Sequence, residues 1–207
     1  MLRQGLIDLY AEKEREIAER IREFAQLRGA SEERNFYELC FCIMAAQTSG
    51  LKSWKVAELL RANDFFNNGS NPAPFLRQGY IRFHNTKVKQ LLEAREKFAE
   101  VSRKLKEIKD VKELREWLIQ NVKGLGMKEA SHFLRNIGRA ENLAILDRHI
   151  LKNMKKYWIV ETLPKTLTKK RYLELEEKFI EMAQRLKMKP AELDLLLWAK
   201  ETGVVFK

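Results

Sequence analysis

Two residues in this chain of 207 combine side-chain type with a position that allows covalent chemistry. Lys128 follows Gly124-Leu125-Gly126, where two helical patterns meet, and so falls in the first turn of the second helix. The positive end of the helix dipole and neighbouring cations there disfavour an ammonium and favour the neutral amine, which can attack a carbon. Asp147 lies nineteen residues further on, where it closes the apolar run Leu143–Leu146 and precedes Arg148 as a helix N-cap. Hydrogen bonds from that helix start favour its ionised form, a carboxylate able to stabilise positive charge developing on a sugar. Each residue also has a plainer reading, as a solvated lysine and as a capping aspartate. The pair in this order is what points to chemistry.

The elements that must position the pair follow from the same stretch. Gly124 and Gly126 let the chain turn tightly between the two helices, which reads as a helix–hairpin–helix over residues 113–138. Such a turn leaves backbone amides free at the start of the second helix, where they can grip a phosphate without reading sequence. An ordinary turn between helices uses glycines in the same way. His132, four residues after Lys128, shares its helix face. His149, beside Asp147, suits a phosphate contact or simple exposure.

Composition bounds the partner. Forty Lys and Arg against 29 Asp and Glu give a formal charge of +11, which favours a polyanion such as nucleic acid or an acidic membrane surface. The N-terminal stretch is too charged for a signal peptide, and no apolar run approaches the ~18 residues needed to cross a bilayer. A soluble, intracellular, cytoplasmic protein associated with the nucleoid is expected. Cys40 and Cys42 sit in an apolar stretch and are expected in the core, and the cysteine clusters of iron–sulfur or zinc sites are absent from the sequence.

Apolar residues recur at helical spacing almost throughout, so the fold class is all-α. Leu6, Ile7, Tyr10, Ile17, Ile21 and Phe24 form one stripe of a long first helix. Further helices are expected over 36–46, 86–106, 111–121, 127–137, 148–158, 168–186 and 190–202. Residues 63–74 read as a loop. One domain over 1–207 is expected, with two helical lobes permitted by the length.

With these residues in view, the sequence resembles the helix–hairpin–helix DNA glycosylases. The resemblance rests on KGLGMKEA through LAILDRHIL, with CIMAAQTSG (Cys42–Gly50) and FHNTK (Phe83–Lys87) similar to two shorter family segments. Lys123 departs from the proline common in the hairpin. Lys128 resembles the lysine of the members that combine glycosylase and lyase activities. The small size, missing N-terminal β domain and C-terminal GVVFK resemble the compact type-2 8-oxoguanine glycosylases.

The resemblance implies a reaction on double-stranded DNA containing a damaged base, by a monomer. The nucleotide is rotated out of the stack, with Gln47 filling the vacated space. Lys128 attacks the sugar as the base leaves, Asp147 offsets the developing charge, and β-elimination from the Schiff base cuts the strand. His132, Asp194 and Trp198 would line the base pocket, and the chain end at Phe206 and Lys207 would fold into it to accept the N7–H that distinguishes 8-oxoguanine from guanine. No cofactor is required, although the resemblance places Na+ or K+ on the main-chain carbonyls of Gln120, Val122 and Leu125. Two further readings remain open: an oxidised-pyrimidine glycosylase/lyase of the endonuclease III kind, and a non-catalytic helix–hairpin–helix DNA-binding module.

Overall fold

The computed structural model describes residues 2–140, 142–157, 159–163 and 166–207. Twelve α-helices and no strand occur among them. They form two compact units, one of residues 27–137 and one in which the chain up to Gln26 joins 138–207.

The first unit is built around α2 (Glu32–Ala45), whose residues from Phe36 to Met44 are all buried. Ser31 accepts the Arg34 amide at 3.2 Å and two acidic residues open the first turn, so this helix starts four residues before the expected Phe36. Cys40 and Cys42 are fully buried free thiols, and burial pushes the Cys40 thiol well up. Phe36 packs among Tyr37, Phe65, Phe66 and Phe98 with ring centroids 5.1–5.8 Å apart. Around α2 lie α3 (Gly50–Ala62), α4 (Phe65–Asn68), α5 (Ala73–Gln78), α6 (His84–Glu96), α7 (Phe98–Glu107), α8 (Val111–Asn121) and α9 (Met127–Asn136).

Three sequence readings change here. The 63–74 stretch is not a plain loop, because it holds α4 and the start of α5. The expected helix over 86–106 breaks at Lys97 into α6 and α7. The helix α3 was not anticipated, its apolar residues being interrupted by lysines on the exposed side.

The second unit centres on α12 (Pro190–Thr202), with α1 (Leu2–Gln26), α10 (Arg148–Lys156) and α11 (Lys169–Arg185) against it. Leu6, Ile17 and Phe24 of the α1 stripe are buried, but Ile7 is 46% exposed because it lies on the neighbouring face. Thr168 caps α11. The expected end of α10 at Trp158 lies outside the described residues. None of the described helices is long and apolar enough to cross a membrane.

Gly138 sits in the left-handed region at φ +67, where a Cβ would meet the Phe24 carbonyl oxygen at 2.4 Å. Both the backbone conformation and the contact with rigid backbone oppose any side chain. Gly138→Ala is therefore expected to lower unfolding free energy by roughly 2 kcal/mol or more, measured by denaturant titration. An unchanged midpoint would show that the α1 terminus yields freely.

Candidate active site

In the first unit the hairpin forms as the glycines require. Gly124 has φ +94, which favours glycine whatever the space, and a Cβ there would come within 2.8 Å of Gln90 Oε1, the movable end of a side chain. Gly126 is extended and serves as the N-cap of α9, so its need for glycine is weaker. Lys123 takes the expected proline position without disturbing the turn and pairs with Glu93 Oε2 at 3.0 Å.

Lys128 is the second residue of α9, its side chain a quarter exposed, with Nζ 3.0 Å from Glu129 Oε1. The other carboxylate oxygen of Glu129 accepts the Gly126 amide at 3.3 Å. That amide is therefore occupied, while the amides of Met127, Lys128 and Glu129 carry no hydrogen bond among the described residues. Glu129 was not singled out from the sequence, although a glutamate three residues after an N-cap is a recognisable capping signal. His132 is buried one turn on, packed edge-to-face on Phe41 at 5.2 Å.

A second lysine lies behind this helix. Lys87 of α6 is 3% exposed, and its Nζ donates to the carbonyls of Met44 and Ala46, both at 2.6 Å, and to Thr48 Oγ1 at 3.0 Å. Burial, followed by the charge of Lys128, lowers its pKa to about 8. Thr48 Oγ1 also accepts the Arg82 amide at 3.3 Å. This ties the turn carrying Gln47 to the segment carrying Tyr80 and Phe83. Gln47, Tyr80 and Phe83 all have left-handed φ, between 52° and 56°, and all are exposed, Tyr80 by 79% and Phe83 by 57%. The aromatic pair was missed in the sequence, where nothing marks an aromatic residue as unburied.

In the second unit Asp147 caps α10 as expected. One carboxylate oxygen, Oδ1, accepts the amides of His149 and Ile150, both at 2.8 Å. Oδ2 carries no hydrogen bond among the described residues. The preceding run, buried from Leu143 to Leu146, has no helix to pair its backbone, and two α11 side chains take that role. Tyr172 donates its hydroxyl to the Ala144 carbonyl at 2.6 Å and accepts the Leu146 amide at 3.3 Å, while Glu176 accepts the Ala144 amide at 3.0 Å.

His149 packs edge-to-face on Trp198 at 5.3 Å and accepts from Arg148 Nε at 3.3 Å. Trp198 Nε1 is buried and has no hydrogen-bond partner among the described residues. Asp194, one turn earlier on α12, is buried. Past Gly203, which ends α12 at φ +83, Phe206 and Lys207 are partly exposed. Lys128 and Asp147 belong to different units.

An all-helical frame with a glycine hairpin, a lysine opening its second helix and a capping aspartate beyond it defines the helix–hairpin–helix DNA glycosylase class. Residues 17–188 match the family described as 8-oxoguanine DNA glycosylase. The chain is 42% identical to the 8-oxoguanine DNA glycosylase/AP lyase of Fusobacterium nucleatum, covering 96% of this chain and 94% of the relative. It is 41% identical to that of Korarchaeum cryptofilum, over 93% and 91% of the two chains. Among solved structures, the Methanocaldococcus jannaschii 8-oxoguanine glycosylase/lyase in complex with a 15mer DNA containing 8-oxoguanine superimposes with a TM-score of 0.92 at 32% identity, over the whole of both chains. The chain belongs to the 8-oxoguanine DNA glycosylase family.

Asp147 stands at the start of α10 and Trp198 on α12, and Glu201 of α12 bridges the two helices. It lies within 2.8 Å of Lys152 and 3.1 Å of Asn153 Nδ2. Lys152 chiefly, against the desolvation, holds its carboxyl down at about 2 from an ordinary 4.5. A depressed carboxylate stabilises the fold above the unfolded pKa and loses that contribution as pH falls toward the folded one. The melting-temperature gap between the native chain and Glu201→Gln should therefore be present at about pH 6 and close as the pH approaches about 2. A gap independent of pH would place the effect of Glu201 in packing instead.

Proposed function

We propose that this chain excises 8-oxoguanine from DNA and cleaves the resulting abasic strand, with Lys128 as nucleophile for both steps. The observation that carries the reading is the place of Lys128, an amine at the start of the hairpin's second helix, 3.0 Å from a carboxylate. Glu129 can take the proton of the ammonium, leaving a nucleophilic amine. Attack of Nζ on C1′ forms the N–C1′ bond as the bond to the base N9 breaks, and the base leaves with that electron pair and is protonated. Asp147 opposes the positive charge that builds on the sugar, its Oδ1 fixed by two amides and its Oδ2 unengaged. The amine nitrogen then loses a proton and its lone pair breaks the C1′–O4′ bond, O4′ taking a proton, so that the opened sugar is held as a Schiff base; loss of its C2′ proton breaks the C3′–O bond and the 3′ phosphate leaves.

The three unpartnered amides of α9 suit a phosphate, and the charge of +11 supplies attraction along the duplex. Gln47 and Phe83, exposed on strained turns, suit insertion where the base has left. Trp198 offers a ring for stacking, and His132 and Asp194 are further pocket residues in this reading. The chain end at Phe206–Lys207 supplies the acceptor for the N7–H of the oxidised base. The carbonyls of Gln120 and Leu125 accept no hydrogen bond among the described residues, while that of Val122 accepts the Leu125 amide at 3.3 Å. Oxygen donors at the negative end of α8 fit a monovalent cation, Na+ or K+, which would brace the turn. The protein acts in this reading as a monomer on intracellular DNA.

Lys128→Gln is expected to abolish base release and borohydride trapping while leaving duplex affinity nearly intact, because one cation of many is lost. A trapped adduct in that variant would move the nucleophile elsewhere. Asp147→Asn should slow single-turnover excision on the order of 10²–10³-fold. Near-native turnover would reduce Asp147 to a cap.

A further inference from the structure

Lys87 is a buried charge that the reaction above does not use. Its three acceptors at bonding distance call for three donors, which an ammonium has and a neutral amine lacks. Two of them are carbonyls at the C-terminus of α2, where helix carbonyls lack partners and the dipole favours a cation. The third, Thr48 Oγ1, is also the acceptor for the Arg82 amide. One ammonium thus closes a helix end and, through the Thr48 hydroxyl, is linked to the second exposed turn.

Those turns are strained. Gln47, Tyr80 and Phe83 hold left-handed backbone without being glycine, each at a cost of about 1–2 kcal/mol. Such conformations persist where the surroundings over-determine them. None of the three side chains is buried, so packing of the side chains themselves does not hold them. Local backbone bonds close each turn, among them the Tyr80 amide on the Arg77 carbonyl at 3.0 Å and the Ile81 amide on the Leu76 carbonyl at 2.9 Å, and Thr48 with Lys87 joins the Gln47 turn to Arg82, between Tyr80 and Phe83. Burial of the ammonium is itself unfavourable, as its lowered pKa records, so its three acceptors have to offset the lost hydration.

We propose that Lys87 is a positioning residue for base extrusion, its buried ammonium locking the Gln47 turn and the Tyr80–Phe83 segment into one rigid wedge for the duplex. The inference rests on the reading above that these turns enter the DNA. Lys87 touches neither the sugar nor the base in this role. Its loss should impair the opening of a stacked, paired nucleotide far more than the chemistry at Lys128.

The test compares the native chain with Lys87→Met on two duplexes under single turnover. One carries 8-oxoguanine paired with cytosine, with 2-aminopurine beside the lesion to report unstacking, and the other carries a ready-made abasic site. Lys87→Met should lower the 2-aminopurine response and slow excision of the paired lesion about 10–100-fold, with abasic cleavage little changed. Equal losses on both duplexes, or no loss on the first, would overturn the proposal. Thr48→Val removes the bridging hydroxyl while leaving Lys87 in place, and should show the same selectivity even if Lys87→Met fails to fold. A native chain that unstacks the site but releases no 8-oxoguanine would count against the proposed substrate, while the effect of Lys87 on unstacking would still stand.

Discussion

Two amide hydrogen bonds to a single oxygen of Asp147 are the interaction on which the placement of this carboxylate, and of the helix it starts, depends. They start α10, and they settle which oxygen of the carboxylate is committed to structure and which is not. A carboxylate on a flexible loop would have to be ordered during the reaction, whereas this one is ordered by folding. The same bonds require the chain before Asp147 to arrive at a set place. That place is set by Tyr172 and Glu176, one turn apart on α11, which pair backbone that no helix or sheet could pair.

Lys128 illustrates the opposite use of a helix start. A cation there opposes the dipole, and the structure answers with Glu129, whose two oxygens serve the Gly126 amide and the lysine amine. Neighbouring residues on a helix do not ordinarily face one another, so this pairing depends on Glu129 folding back toward the N-cap. The amides left over are those that suit a phosphate. Stability and chemistry are thereby divided within one helical turn.

The sequence made the helix starts that carry Lys128 and Asp147 legible, because a glycine hairpin and an aspartate before a helix are local signals. The all-helical class was legible from periodicity, and the boundaries of α8 and α12 fell where expected. What escaped was tertiary. The break at Lys97 has no proline or glycine to announce it, and α3 lacks a clean apolar stripe. FHNTK marked the neighbourhood of Lys87, but a lysine that ends in a cage of carbonyls looks like any other lysine on a helix. Phe83 and Tyr80 were hidden for the converse reason, since aromatic residues are ordinarily assigned to the interior.

The buried thiols of α2 bear on where such a protein can work. Guanine is oxidised under conditions that also attack cysteine, and it is the thiolate that reacts. Cys40 and Cys42 lie wholly out of solvent, and the burial of Cys40 disfavours its thiolate. A repair protein built this way has no accessible sulfhydryl to be consumed by the agents that create its substrate, so its durability during oxidative stress is a property of its core packing.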